Sequence, residues 1–168
     1  MNYRFFILLV SFLLLNCKKK QFEEFDFTYG NTFETNFSIK FNPNNDSVMI
    51  REHWSPHDDK PPISKTNYVS QLSQIQKSKL DSFVQNINFE ILDTLYYEDY
   101  EDGTHYSLYL KRNEKEKLIR VHSETAPKEL KRFATWIYET KKSLKLTKTA
   151  KHAEFKSKAT ELEPPKAP

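Results

Sequence analysis

The chain has 168 residues, of which 38% are hydrophobic, 14% aromatic and 29% charged, with a formal net charge of +3. That length holds one domain and some tail, and leaves no room for a second domain. Only Gly30 and Gly103 are glycine and only Cys17 is cysteine. Phosphate-cradling loops of the dinucleotide and P-loop kinds, disulfide frameworks and multi-cysteine zinc sites are therefore all excluded.

Residues 5–15, FFILLVSFLLL, form an apolar run behind the single basic Arg4. A bilayer core takes about 20 residues at helical rise, so the run is too short to span and has instead the layout of a secretory signal. Cys17 follows directly after Leu14, Leu15 and Asn16. This arrangement resembles the bacterial lipoprotein signal, whose lipobox ends in a cysteine that is acylated and becomes the mature N-terminus. Leu14 fits the position three residues before the cysteine, and Asn16 stands where the family usually has a small residue. The resemblance implies a signal peptide over 1–16, a lipid on Cys17 and a tether over 17–24. It also implies a cell-envelope location, anchored to the membrane and facing the periplasm from the outer membrane. Each buried methylene of an acyl chain contributes about 0.8 kcal/mol, and Lys18, Lys19 and Lys20 beside the lipid add attraction to an anionic surface.

The positive charge belongs to the ends of the chain. Residues 21–144 hold 16 Lys and Arg against 20 Asp and Glu. A nucleic-acid binder concentrates basic residues and stacking aromatics on its folded surface, so nucleic acid is not an expected partner.

Phe25, Phe27 and Tyr29 alternate with polar residues. After the turn at Gly30-Asn31-Thr32 the alternation resumes through Phe33, Thr35, Phe37, Ile39 and Phe41, the period of half-buried strands. Asn42-Pro43-Asn44-Asn45-Asp46 supplies turn chemistry. Val48, Ile50 and Trp54 continue on a third strand, with Glu52 the polar exception on its apolar face. A proline-rich loop over 55–66 precedes a short strand at 68–72. Ser73 and Gln76 match a capping box, and Leu80, Phe83, Val84 and Ile87 follow at helical spacing. The stretch 93–103 reads as a loop ending at Gly103, and 104–111 with 117–122 as a hairpin whose Tyr106, Leu108 and Leu110 point inward, opposed to Tyr109. Pro127 opens a second helix carrying Leu130, Phe133, Ala134 and Ile137.

This order predicts an α+β domain over 25–145, built on an antiparallel sheet of about five to six strands with two helices on one face. A disordered basic, Pro-rich tail is expected over 146–168. The pattern over 33–144, with its capped helix, the DG turn and VHSETAPKEL opening the last helix, is similar to small lipoprotein domains of Bacteroidota. That resemblance brings no catalytic residues with it.

Two segments are candidate sites. Tyr96, Tyr97, Glu98, Asp99, Tyr100, Glu101 and Asp102 mix rigid aromatic rings with carboxylates, a chemistry that protein interfaces favour. The EF-hand spacing that would direct these acids to calcium is absent. His53, His57 and Asp58 have zinc-ligand chemistry and suggest a metal-dependent hydrolase as the alternative, although Pro56 breaks the helix that would align the two histidines. GxSxG, SxxK and HExxH motifs do not occur. The leading expectation is a non-enzymatic binding module, of which an inhibitor or immunity protein is one form. Its contact residues are Tyr96, Tyr97, Glu98, Asp99, Tyr100 and Asp102, its partner is a protein or small ligand, and no cofactor is implied.

Overall fold

The structure, a computed structural model, describes residues 21–31, 34–53, 66–99 and 103–158. The first alternating segment forms β1 (Glu24–Asn31), the second β2 (Glu34–Phe41) and the third β3 (Ser47–His53), in an antiparallel meander. The Asn-rich turn between β2 and β3 closes as its composition predicts, with Asn42 Oδ1 accepting from Asn44 N at 2.8 Å and Asn45 Oδ1 from Ser47 N at 2.9 Å. β4 (Thr66–Gln71) precedes α1 (Gln74–Asn86), whose capping box is reciprocal. Ser73 Oγ accepts from Gln76 N at 3.2 Å, and Gln76 Oε1 accepts from Ser73 N at 2.8 Å. After β5 (Leu95–Tyr97), the hairpin of β6 (Thr104–Arg112) and β7 (Lys115–His122) turns through Asn113 at φ 53° and Glu114 at φ 63°, the left-handed pair that matches strand twist. Gly103 enters β6 at φ 136°, where a side chain would be strained. Next come α2 (Lys128–Ser143), β8 (Thr147–Lys148) and a 3₁₀ turn, η1 (Lys156–Lys158).

Among the described residues the strands form one sheet in the order β5-β7-β6-β1-β2-β3-β4-β8. The α+β class is therefore as expected, and the sheet is larger than expected, with eight strands. Its ladders are antiparallel apart from β5, which lies parallel to β7. The segment read as a loop over 93–103 thus contains an edge strand, too short to show a period in sequence.

On the inner face, Phe25, Phe27, Ile39, Ile50, Leu108 and Ile119 are buried under the two helices. Phe133 of α2 is the hub. Its ring lies 5.5 Å from Phe25 and 4.8 Å from Phe83, and Phe25 stacks in turn on Phe41 at 5.0 Å. Such ring pairs add about 0.5–1.5 kcal/mol each beyond area burial. Glu52, the polar exception on this face, accepts from Lys141 Nζ of α2 at 2.6 Å.

The outer face corrects two expectations. Residues 146–158, expected as the start of a disordered tail, pack as a strap: β8 extends the sheet beside β4, and η1 crosses β1, β6 and β7. Residues 159–168 lie outside the described residues. Tyr109, expected to point to solvent, is 5% exposed, because Lys156 of the strap lies over its ring. A face that alternation marks as wet is partly covered, and its polar residues become buried polar residues.

Candidate functional site

Two places gather chemistry: the network beneath the strap, and the end of the sheet that carries β5. Beneath the strap lies Asp26, fully buried on β1. Its Oδ1 accepts from Ser157 N at 2.8 Å and its Oδ2 from Lys156 N at 3.3 Å, so the carboxylate caps η1. Burial raises its pKa above the ordinary 3.8, and hydrogen bonds from the Ser157 side chain and from the Ser157 and Lys156 backbones oppose that rise.

From Ser157 a chain of hydroxyls crosses the sheet. Ser157 Oγ meets Thr28 Oγ1 at 2.8 Å, Thr28 Oγ1 meets Ser38 Oγ at 2.8 Å, and Ser38 Oγ meets His53 Nε2 at 3.2 Å. His53 Nδ1 lies 3.2 Å from Lys158 Nζ. The two ends set its direction, since an ammonium only donates and a carboxylate only accepts. His53 Nδ1 therefore accepts from Lys158, Nε2 carries the proton and donates to Ser38, and the hydroxyls pass their donors along toward Asp26. This tautomer cannot take a proton from Ser38, and Ser38 is 0% exposed. The serine–histidine pair is thus a structural link, without the geometry of an activated nucleophile.

At the rim of this network Glu24 accepts from Lys40 and from Lys156 Nζ. Burial alone would raise the Glu24 pKa, but those two lysines outweigh it and hold the carboxyl below 4.5. Tyr109 Oη donates to Glu116 at 2.7 Å and accepts from Lys156 Nζ at 2.9 Å; burial, with Glu116, holds its hydroxyl above its usual range.

At the β5 end, Tyr96 and Tyr97 alternate across the sheet as strand residues do. Tyr96 packs against the core, and its hydroxyl accepts from Asp93 N at 2.9 Å. Tyr97 is 41% and its strand neighbour Leu95 50% exposed, and the Tyr97 ring lies 5.7 Å from His122. Glu98 is tied down: its backbone N donates to His122 O at 2.8 Å and its carboxylate accepts from Glu124 N at 2.6 Å. That backbone hydrogen bond lowers its pKa despite the opposing effect of burial. Asp99 is exposed, and Tyr100, Glu101 and Asp102 lie outside the described residues. The segment thus divides, with Tyr97 and Asp99 facing solvent while Tyr96 and Glu98 hold the edge in place.

Of the candidate metal set, His57 and Asp58 lie outside the described residues, and both nitrogens of His53 are engaged by Ser38 and Lys158. A metal on His53 would have to displace one of them. His105 and His122, remote in sequence, are brought together with ring centroids 6.4 Å apart. Among the described residues no group of three or more His, Cys, Asp and Glu is placed to hold a metal ion. The residues that sequence reasoning missed are Asp26, Ser157 and Lys158; Phe155, now 6% exposed, was the one apolar signal that the tail segment had a surface to cover. No helix of the described residues is long and apolar enough to cross a membrane. Compared with known proteins, the chain matches no protein-family model and no curated protein.

Proposed function

We propose that this protein is a lipid-anchored component of the bacterial cell envelope, held by Cys17, that binds a partner without catalysing a reaction. The observation that carries this reading is the β5 edge, where Leu95 and Tyr97 stand exposed on the last strand of the sheet. Thr94 O and Glu98 N bond to β7, so by strand alternation the backbone groups of Leu95 and Tyr97 face away from it, toward an incoming segment. The edge also lies far from where the chain enters the domain. Phe22 packs at the end of the sheet where Glu23 N bonds Lys111 O, whereas Tyr97 pairs with His122 at the other end. Along β1 the two ends stand about 23 Å apart, at about 3.3 Å per residue. An anchor at one end thus leaves the other clear of the membrane.

The test is capture from envelope extracts with the wild type and with a Tyr97→Ala/Asp99→Ala/Tyr100→Ala triple variant. Loss of a partner from the variant is expected, and identical partner sets overturn the assignment of this edge. The anchor is tested by mass and membrane partition: Cys17→Ser loses the acyl mass and leaves the membrane fraction, and an unchanged variant overturns it.

A further inference from the structure

The two helices together hold seven Lys and Arg against three Asp and Glu, while the rest of residues 21–158, strap included, holds fourteen against eighteen. The helical layer is thus net positive and the remainder of the domain, taken together, net negative. On α1, Ile75 and Lys79 share one stripe at four-residue spacing, and on α2 Lys128, Arg132 and Trp136 share another. An open groove of about 660 Å³ runs between them, lined by Ile75, Lys79, Ser82 and Trp136. Ile75 is 83% exposed, the most exposed large apolar side chain of the described residues. Trp136 is half-buried, its ring 5.5 Å from Phe83. Apolar tips flanked by Lys79 on α1 and by Arg132, one turn before Trp136 on α2, have the composition of a surface that rests in a lipid headgroup layer.

The position of the anchor selects the occupant. Phe22 is 1% exposed, and Lys77 of α1 lies 5.6 Å above its ring. Residues 18–21 separate it from Cys17. Five Cα steps reach at most about 18 Å at full extension, and a helix is about 10 Å across. An acylated Cys17 therefore holds α1 within a short reach of the bilayer, and the basic side of the domain is attracted while the acidic remainder is repelled. A second copy of this chain would set basic face against basic face.

We infer that the α1–α2 groove docks on an anionic lipid surface, with Ile75 and Trp136 entering the headgroup boundary and Lys79 and Arg132 meeting lipid phosphates. This inference rests on the lipid anchor proposed above.

The test uses the full lipidated chain carrying Trp54→Phe, so that Trp136 is the only emitting tryptophan. The chain is reconstituted on phosphatidylcholine vesicles with and without phosphatidylglycerol, each with brominated acyl chains as quencher. In vesicles containing phosphatidylglycerol, Trp136 emission is expected to fall at least about twofold. Quenching is expected to weaken in high salt, in phosphatidylcholine alone and in Lys79→Glu/Arg132→Glu. Ile75→Asp, a change at an exposed position that leaves the core intact, is expected to reduce it as well. A chain that floats with the vesicles while Trp136 stays unquenched overturns the docking inference and leaves the anchor standing. A chain that does not float overturns both. Quenching that is equal in both vesicle types and insensitive to Lys79→Glu/Arg132→Glu overturns the anionic headgroup as the partner.

Discussion

Asp26 Oδ1 and the backbone N–H of Ser157 meet at 2.8 Å across 131 positions of sequence, and this contact fastens the strap to the sheet. A carboxylate buried on the outer face of β1 would be costly alone; capped by η1 it gains two backbone donors, and the strap gains a fixed point.

Asp26→Ala leaves the amides of Lys156 and Ser157 facing an apolar gap. The expected loss is about 2–3 kcal/mol in urea denaturation, together with faster proteolysis within 146–158. Asp26→Asn keeps an acceptor oxygen and is expected to lose less. Unchanged cleavage of the strap in both variants would show that the contact does not hold it.

Glu24 and Asp26 impose opposite pH dependences on the same strap. Asp26 has a raised pKa in the folded state, so its proton linkage favours folding below 3.8 and that contribution is lost as pH rises through the folded value. Glu24 has a lowered pKa, so its contribution is present above 4.5 and is lost as pH falls through the folded value. The stability of wild type relative to Asp26→Asn is therefore expected to decline with rising pH, and relative to Glu24→Gln to increase. Denaturation curves over about pH 3 to 7 read both differences, and a pair of differences with the same sign would contradict the assignment.

Gly30 faces the ring of His105, and a Cβ at position 30 would stand 2.0 Å from His105 Nε2. His105 is exposed and its ring can swing aside, so Gly30→Ala is expected to cost less than about 1 kcal/mol while separating His105 from His122. Histidine ring shifts by NMR report that separation. The cost should vanish in Gly30→Ala/His105→Ala, and a large loss that persists there would place the clash in the backbone.

Ser73→Ala removes one half of the α1 capping box. About 1 kcal/mol of stability is expected to go with it in thermal or chemical denaturation, with the baseline helical signal little changed. A loss below the error of the measurement would mean that packing of Leu80 and Val84 alone sets where α1 begins.

Phe133→Ala empties the hub where α2 meets Phe25, Phe83 and Phe89. A cost of about 3–5 kcal/mol is expected, enough to unfold a domain of ordinary stability. Tyr97→Ala, at the exposed β5 edge, is expected to leave the midpoint within about 0.5 kcal/mol. Comparable losses for the two would mean that Tyr97 serves packing.

Local patterns carried most of the architecture. Period-two alternation at Phe25, Phe27 and Tyr29 and at Phe37, Ile39 and Phe41, the Ser73/Gln76 box and the helical stripe through Phe133 and Ile137 each depend on residues a few positions apart. Of the candidate site, Tyr97 and Asp99 stand exposed, whereas Glu98 bonds the turn at Glu124. No spacing in the sequence distinguishes a carboxylate that meets solvent from one that meets a backbone amide 26 residues away.

The sequence by itself determined the strand and helix periods, the caps and the turns. Those properties are set by neighbours along the chain. Only the tertiary structure decided that β5 pairs in parallel with β7, that His105 meets His122, and that residues 146–158 cover the outer face. The physical reason is the same in each case. A three-residue strand has no readable period, and a polar strap such as Lys156-Ser157-Lys158 resembles disorder until a buried Asp26 supplies the partner for its amides.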